Sequence, residues 1–353
     1  MGPTAAGKTD TAVALAESFD VELISVDSAL VYRGLCIGAA QPDYPHHLID
    51  IRDPADVYTA ASFVDDTLSC IADARARGRR AVLVGGTMMY YRALIEGLSD
   101  MPASDPAIRA EIELEASQAG WPDMHRELSA VDPETASNLH PNHSQRISRA
   151  LEIFRQTGIP MSQWQRANTQ EARKAVCLAL APNNRTTLHT RIETRFDRML
   201  EAGFVEEVKK LFDRGDLHTD LPAIRAVGYR QIWSHLSGEY SLDAARDKGI
   251  AATRQLAKRQ ITWLRGWSGL HWVDSEAKDG QEQVKNHLRN YLEVRCRSKI
   301  CAPDFWGYWA ASFFAAVDIL RSSHVKRANA TRPLPKRTEK RARSGINLSR
   351  KRY

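Results

Sequence analysis

The chain opens with two kinds of hydrophobic pattern in alternation. VELISVD (21–27) and AVLVGG (81–86) are short runs, apolar almost throughout, as strands buried on both faces require. Between them, 3.6-residue spacing predicts a helix over about 62–77. Strands alternating with helices imply βαβ units and a parallel sheet. Residues 105–157 read as helical, opening at Asp105-Pro106, and a second helix over 144–156 stops at Gly158-Ile159-Pro160. KAVCLALAP (174–182) returns to a strand pattern, and helices are predicted over 186–203, 204–214 and 241–265. The expected organisation is an α/β core begun by 1–104, interrupted by a helical insertion over 105–172, completed by 173–295, and followed by a tail, 296–353.

Composition supports a globular chain with ample length for a core: 353 residues, 43% hydrophobic and 26% charged. No run is long and apolar enough to span a bilayer, the thirteen-residue FWGYWAASFFAAV (305–317) included, so no membrane role is expected. The start has no leader-like pattern. Five scattered cysteines argue against a disulfide framework and for a reducing cytoplasm. Cys296 and Cys301, with His324, lack the further ligands of a zinc site. The net charge of +6 is misleading, because 321–353 carries twelve Lys/Arg against Glu339 alone, leaving the rest at −5. That tail has no hydrophobic periodicity and reads as disordered.

The strongest motif is Gly2-Pro3-Thr4-Ala5-Ala6-Gly7-Lys8-Thr9, which fits GxxxxGK[ST] and precedes a helical pattern, DTAVALAESF. Backbone N–H groups of such a loop cradle a di- or triphosphate; Lys8 neutralises it and the Thr9 hydroxyl holds Mg²⁺. A loop of this kind follows a buried strand, yet here it begins at residue 2. Either the chain is cut short or translation starts upstream. The loop is therefore expected to be poorly anchored, with weakened stability or activity. Asp27 ends the first strand at the edge where ligands bind in parallel sheets, as a general base, a metal ligand through water, or a turn cap. Gly85-Gly86-Thr87 ends the next strand, where glycine lets a ligand approach and Thr87 offers a hydroxyl.

These residues, with SVDSALVYRGLCIGAA, PHHLIDIRDP, VLVGGTMMYYRALIEGL, QRISRALEIF, RIETRFDRML, RAVGYRQ and QLAKRQITWLRGW, resemble the tRNA dimethylallyltransferase family over about residues 1–275. The resemblance implies a P-loop NTPase-like parallel core with an inserted helical tRNA-binding domain. It also implies transfer of a dimethylallyl group from dimethylallyl diphosphate to N6 of adenosine 37 in the tRNA anticodon loop, by a cytoplasmic monomer. Lys8, Thr9 with Mg²⁺, and Arg195 would then hold the leaving diphosphate, and Asp27 would act as general base. Thr87 and Arg109 would contact tRNA near the reacting base. The implied tRNA contacts are Asp27, Ser28, Ala29 and Leu30; Gln145, Arg146, Ile147, Ser148 and Arg149; Arg225, Ala226, Val227, Gly228, Tyr229 and Arg230; and Lys258, Arg259, Gln260, Ile261, Thr262, Trp263, Leu264 and Arg265. Arg109, Lys258, Arg259 and Arg265 could equally be solvated helix charges. Trp263 is expected in the core.

Two departures stand out. The family has several more residues between Gln41-Pro42 and Tyr44-Pro45-His46, and 296–353 has no counterpart in it. The loop alone also fits a small P-loop kinase or a regulatory P-loop protein, and the loop with Asp27 fits an isopentenyltransferase acting on free AMP or ADP. ATP can bind such a loop without being the substrate. The helical insertion and the RAVGYR and KRQITWLR segments favour the tRNA enzyme.

Overall fold

The computed structural model describes residues 1–167 and 172–297. The readings made for the tail beyond 297, including the 305–317 stretch, basic 321–353 and the Cys301 and His324 pairing with Cys296, lie outside the described residues. Strand β1 (Val21–Val26) pairs in parallel with β2 (Arg80–Gly85), Val21 opposite Arg80 and Val26 opposite Gly85. A second parallel pair joins β3 (Cys177–Ala181) to β4 (Leu270–Asp274). On the far side of β1 the backbone at His47 adds a bridge, accepting from Ser25 N–H at 3.0 Å and donating to the Leu23 carbonyl at 2.8 Å.

Met1 plays the same part beside β3. Its nitrogen donates to Leu178 O at 2.8 Å and its carbonyl accepts from Leu180 N–H at 3.0 Å, one step of a parallel ladder. Gly2 follows so close to β3 that a Cβ there would lie 2.3 Å from the Leu180 carbonyl oxygen. Thr4 N–H then donates to Gln260 Oε1 at 2.9 Å. The expectation of a poorly anchored loop is corrected by these contacts: backbone pairing at one end and a side-chain amide in the middle hold it.

Helix α1 (Lys8–Ser18) follows the loop, and α2 (Ala60–Ala76) carries the crossover from β1 to β2. The α2 start is set by Thr59, whose hydroxyl oxygen accepts the Ser62 N–H. After β2 come α3 (Met88–Glu96), and then α4 (Pro106–Ala119), α5 (Trp121–Val131), α6 (Pro133–Ser137), α7 (Ser144–Thr157) and α8 (Met161–Arg166). Helices α4 to α7 share a hydrophobic cluster of their own, centred on Ile112, Leu128, Ile147 and Leu151, with Met161 of α8 packed against it. The run from 105 onward was legible as helical because Asp105 caps α4 through the N–H groups of Ala107 and Ile108, and Gly158 ends α7 at φ 69°.

The main core lies between β1 and the later helices α9 (Arg185–Glu201), α10 (Phe204–Phe212), α11 (Tyr229–Leu236) and α12 (Leu242–Arg265). Ile24 and Val26 contribute from the strand, Phe196, Phe204 and Ile232 from the helices. Helix α13 (Gly280–Arg297) ends the described chain; Met1–Arg289 make one compact unit. Among the described residues, no helix is long and apolar enough to cross a membrane.

Candidate active site at the junction of two cavities

Every strand brings its carboxyl end to the same region. Asp27 follows β1, Gly86 and Thr87 follow β2, Leu180 is near the end of β3, and Ser275 follows β4. Two cavities open there and share Ala5 and Arg195 in their walls. The placement follows the rule for open parallel sheets.

The first cavity, about 770 Å³, is lined by residues 5–11 and one face of α9. Gly7 adopts φ 78° as N-cap of α1, a conformation glycine takes without steric cost, and Ala5 is held at φ 60°, which a residue with a Cβ seldom adopts. The N–H groups of the first helical turn have no intrahelical partners and face this space with the positive end of the helix dipole. Lys8 Nζ donates to the Pro3 carbonyl at 2.5 Å. Burial, then the nearby Arg195 charge, pushes the Lys8 pKa down to about 8, and Asp27 opposes both. Arg195 is likewise lowered by burial and supported by Asp27. Cations that disfavour one another across a cavity form a site completed by an anion. The sequence reading missed Arg191 and Arg198, which join Arg195 in the wall. Their i, i+4, i+7 spacing on RIETRFDR was the available signal. Lys278 also lines the cavity and gave none.

The second cavity, about 470 Å³, is lined by Asp27, Ser28, Ala29, Thr87, Met89, Arg225, Arg259 and Trp263 among others. Asp27 Oδ1 accepts from Ala29 N–H at 2.8 Å, and weakly from Leu30 N–H at 3.4 Å, so the turn-cap role is real. The other carboxylate oxygen has no hydrogen bond among the described residues. The Thr87 hydroxyl oxygen accepts Ser28 N–H at 3.1 Å, tying the ends of β1 and β2 together. Trp263, expected in the core, is 38% exposed. On α12 the inward face is taken by Ala257, Gln260 and Leu264; Trp263 is rotated one step off it, onto the cavity wall under the Arg92 guanidinium.

The other residues assigned to tRNA contact fall in several different places. Ile147 and Ser148 are buried in the helical insertion and Leu264 in the main core, and none of the three lines either cavity, whereas the buried Gly228, Tyr229 and Gln260 line the second. Arg109 and Arg149 line neither cavity. Both pair with Glu152, at 3.3 and 3.0 Å, and Glu152 is fully buried. Burial alone would raise the Glu152 pKa, but hydrogen bonds from Ser104, Arg149 and the Asp105 N–H hold it below the usual carboxylate range. Gln145 and Arg146 are exposed on α7, and with its carboxamide oxygen turned inward Gln145 accepts from Arg225. That contact joins the insertion to the wall of the second cavity. Ala226 and Val227 line the wall beside Arg225. Arg230, Lys258, Thr262 and Arg265 are exposed near it, and Ile261 is half-buried.

Glu207 was missed altogether. It accepts three successive backbone N–H groups, from Cys36 (3.1 Å), Ile37 (2.7 Å) and Gly38 (3.1 Å), and the Tyr229 hydroxyl at 2.6 Å. Gly38 and Tyr229 both line the second cavity, so this buried carboxylate sets its rear wall. The signal was an acid on the apolar face of α10, three residues after Phe204 and four before Leu211.

Fold and site together define an α/β chain with a cationic cavity in one place, a carboxylate beside it and an aromatic-walled pocket in the next. The family described as IPP transferase matches residues 30–267. The tRNA dimethylallyltransferase of Chromohalobacter salexigens is 54% identical over 297 residues, 82% of this chain and 95% of that protein. A solved tRNA isopentenylpyrophosphate transferase from Bacillus halodurans superposes with a TM-score of 0.61 at 36% identity, covering 84% of this chain and 97% of the other. A eukaryotic dimethylallyltransferase solved acting on tRNA shares the fold, with a TM-score of 0.69 at 24% identity, covering 84% and 78%. The chain belongs to the IPP transferase family.

Proposed function

We infer that this chain transfers a dimethylallyl group from dimethylallyl diphosphate to N6 of an adenosine in the tRNA anticodon loop. The observation that carries the reading is the junction: Asp27 stands beside Lys8 and Arg195 where the cationic cavity meets the aromatic one. Residues 2–9 then work as a P-loop that holds the leaving diphosphate in place of a nucleotide. An allylic C–O bond breaks readily only when the departing diphosphate is neutralised, and Lys8, Arg195, Arg191 and Arg198 supply that charge.

The Thr9 hydroxyl faces the same cavity and makes no hydrogen bond among the described residues. No group of three His, Cys, Asp or Glu among them could hold a metal unaided. That donor set fits Mg²⁺ carried in on diphosphate oxygens and water, with Thr9 as its one protein ligand. When bound, the ion would add charge neutralisation at the leaving group.

The acceptor adenosine must leave its stack to reach this junction, and the second cavity has the walls for a flipped base: Trp263 and Met89 to pack on it and Arg225 and Arg259 for phosphates. As the new N6–C bond forms and the C–O bond breaks, the N6 proton passes to the free oxygen of Asp27. A positioned base of this kind contributes about 10²–10⁴ in rate. We place the reaction in the cytoplasm, by a monomer, on the family resemblance.

The test is a transfer assay with Mg²⁺, dimethylallyl diphosphate and unmodified tRNA, followed by mass spectrometry of the digested nucleosides. Isopentenyladenosine from tRNA and none from free AMP is the expected result. Product from AMP alone would move the activity to free nucleotides. No product from folded protein with either acceptor would overturn the reading.

A further inference from the structure

Gln260 shares α12 with Arg259 and Trp263, yet its own side chain is buried. Both ends of its carboxamide are engaged. Oε1 accepts the Thr4 N–H at 2.9 Å, and Nε2–H donates to the Gly86 carbonyl at 2.8 Å. Thr4 lies in the loop just before Ala5, the residue that both cavities share. Gly86 immediately precedes Thr87 in the wall of the second cavity. One side chain therefore spans the loop, the edge of β2 and the helix that bears Trp263.

A second observation points the same way. A Cβ at Gly86 would lie 2.4 Å from Gln260 Nε2, and Gly86 is not among the glycines with positive φ. Its lack of a side chain answers a close approach, and the group approaching is the Gln260 amide. Ala5 supplies the reason such a brace is needed. Its φ of 60° is sparsely populated by residues with a Cβ and persists only where the surroundings over-determine it.

We propose that Gln260 is a positioning residue that sets the register of the loop against the base pocket through its bonds to Thr4 and Gly86. The proposal rests on the transfer reaction inferred above and assigns one further residue of its site. Through Thr4 and Gly86 the amide fixes how far the diphosphate, and hence the allylic carbon, stands from the amine held beside Asp27 and Thr87. A misplacement of about 1 Å can cost roughly 10²-fold in such a transfer.

The experiment compares wild type with Gln260→Met, which keeps the volume but makes neither hydrogen bond, Gln260→Glu, which keeps an acceptor for Thr4, and Gly86→Ala, which displaces the amide. Steady-state constants for both substrates are read with a calorimetric Kd for dimethylallyl diphosphate and the melting temperature. Gln260→Met should lower kcat about tenfold or more and raise the dimethylallyl diphosphate KM about tenfold, with the tRNA KM within twofold. Gly86→Ala should give the same split, and cost much less in a Gln260→Ala background where the displaced amide has gone. Gln260→Glu should fall between wild type and Gln260→Met in kcat.

A rise in tRNA KM alone would overturn the proposal and return Gln260 to the RNA face. Folded Gln260→Met with wild-type constants would overturn it too, even with a lowered melting temperature. Should Gln260→Met not fold, Gly86→Ala and Gln260→Glu carry the same test. If wild type transfers nothing, the inferred function fails, and the Kd for dimethylallyl diphosphate still reads whether Gln260 braces the loop.

Discussion

The two cavities share Ala5 and Arg195 but are built in opposite ways. The cationic one draws most of its wall from residues 5–11 and from a single face of α9. The aromatic one gathers short pieces from before α1, after β1, after β2, α9, the segment before α11, and α12. The loop and helix start of the first are set by local geometry, because their donors are backbone groups of neighbouring residues, and α9 adds its arginines from one face. A site gathered from distant segments holds its shape only if something buried fixes each segment, and here Glu207, Gln260 and the Thr87 hydroxyl do that. Loss of the Glu207 or Thr87 contacts should therefore be felt in the second cavity, and loss of Gln260, which also holds Thr4 of the loop, in the first.

The sharpest way to separate the two is Asp27→Asn at their junction. The asparagine oxygen can keep the cap on the Ala29 N–H, so the turn and the melting temperature should hold. Transfer should fall by about 10²–10⁴, the contribution of a positioned base. Because Asp27 is an anion facing Lys8 and Arg195, its neutralisation should leave the calorimetric Kd for dimethylallyl diphosphate unchanged or tighter. Equal loss of binding and transfer would show that the carboxylate builds the anion site and is not the base.

Trp263→Ala probes the second cavity alone. A base stacked on an aromatic face is worth about 1–3 kcal/mol, so the tRNA KM should rise roughly tenfold. The Kd for dimethylallyl diphosphate should not move, and Trp263→Phe should recover most of the loss. An unchanged tRNA KM in Trp263→Ala would remove stacking from the account of this wall.

The same contrast explains what was legible in the sequence. Gly7, Lys8 and Thr9 were readable because their spacing is the geometry of the loop. β1, β2, α4 and α7 were readable because continuous apolar runs and the caps at Asp105 and Gly158 are local signals. The segments assigned to tRNA were named whole, and a segment does not say which of its residues turn toward a cavity. On α12 a rotation of about 100° per residue decides between Trp263 at the cavity and Leu264 in the core. Arg109 and Arg149 were assigned to tRNA contact on the resemblance, and the charge that both pair with, Glu152, sits 43 and 3 residues away. Strand β4 was missed because its adjacent residues His271 and Trp272 are both exposed, which fits neither a buried run nor an in–out alternation.

The smallest effect expected is a pH dependence confined to the cationic cavity. In the free protein Lys8 has its pKa lowered to about 8, by burial first and by Arg195 second. A bound diphosphate favours the ammonium and raises that pKa, so the complex holds a proton that the free protein loses above about pH 8. Affinity for dimethylallyl diphosphate should therefore be flat from pH 7 to about 8 and weaken above it, by up to tenfold per pH unit until the pKa of the complex is reached. The terminal phosphate itself titrates near pH 6 and contributes nothing in that window. Calorimetry between pH 7 and 9.5 measures the slope directly. Lys8→Met should bind weakly at every pH with the slope gone, and Trp263→Ala should keep the wild-type slope. A profile that stays flat in wild type would mean that Lys8 remains fully charged beside Arg195. The cavity would then be more open to water than its burial implies, and the pull on the leaving group correspondingly weaker.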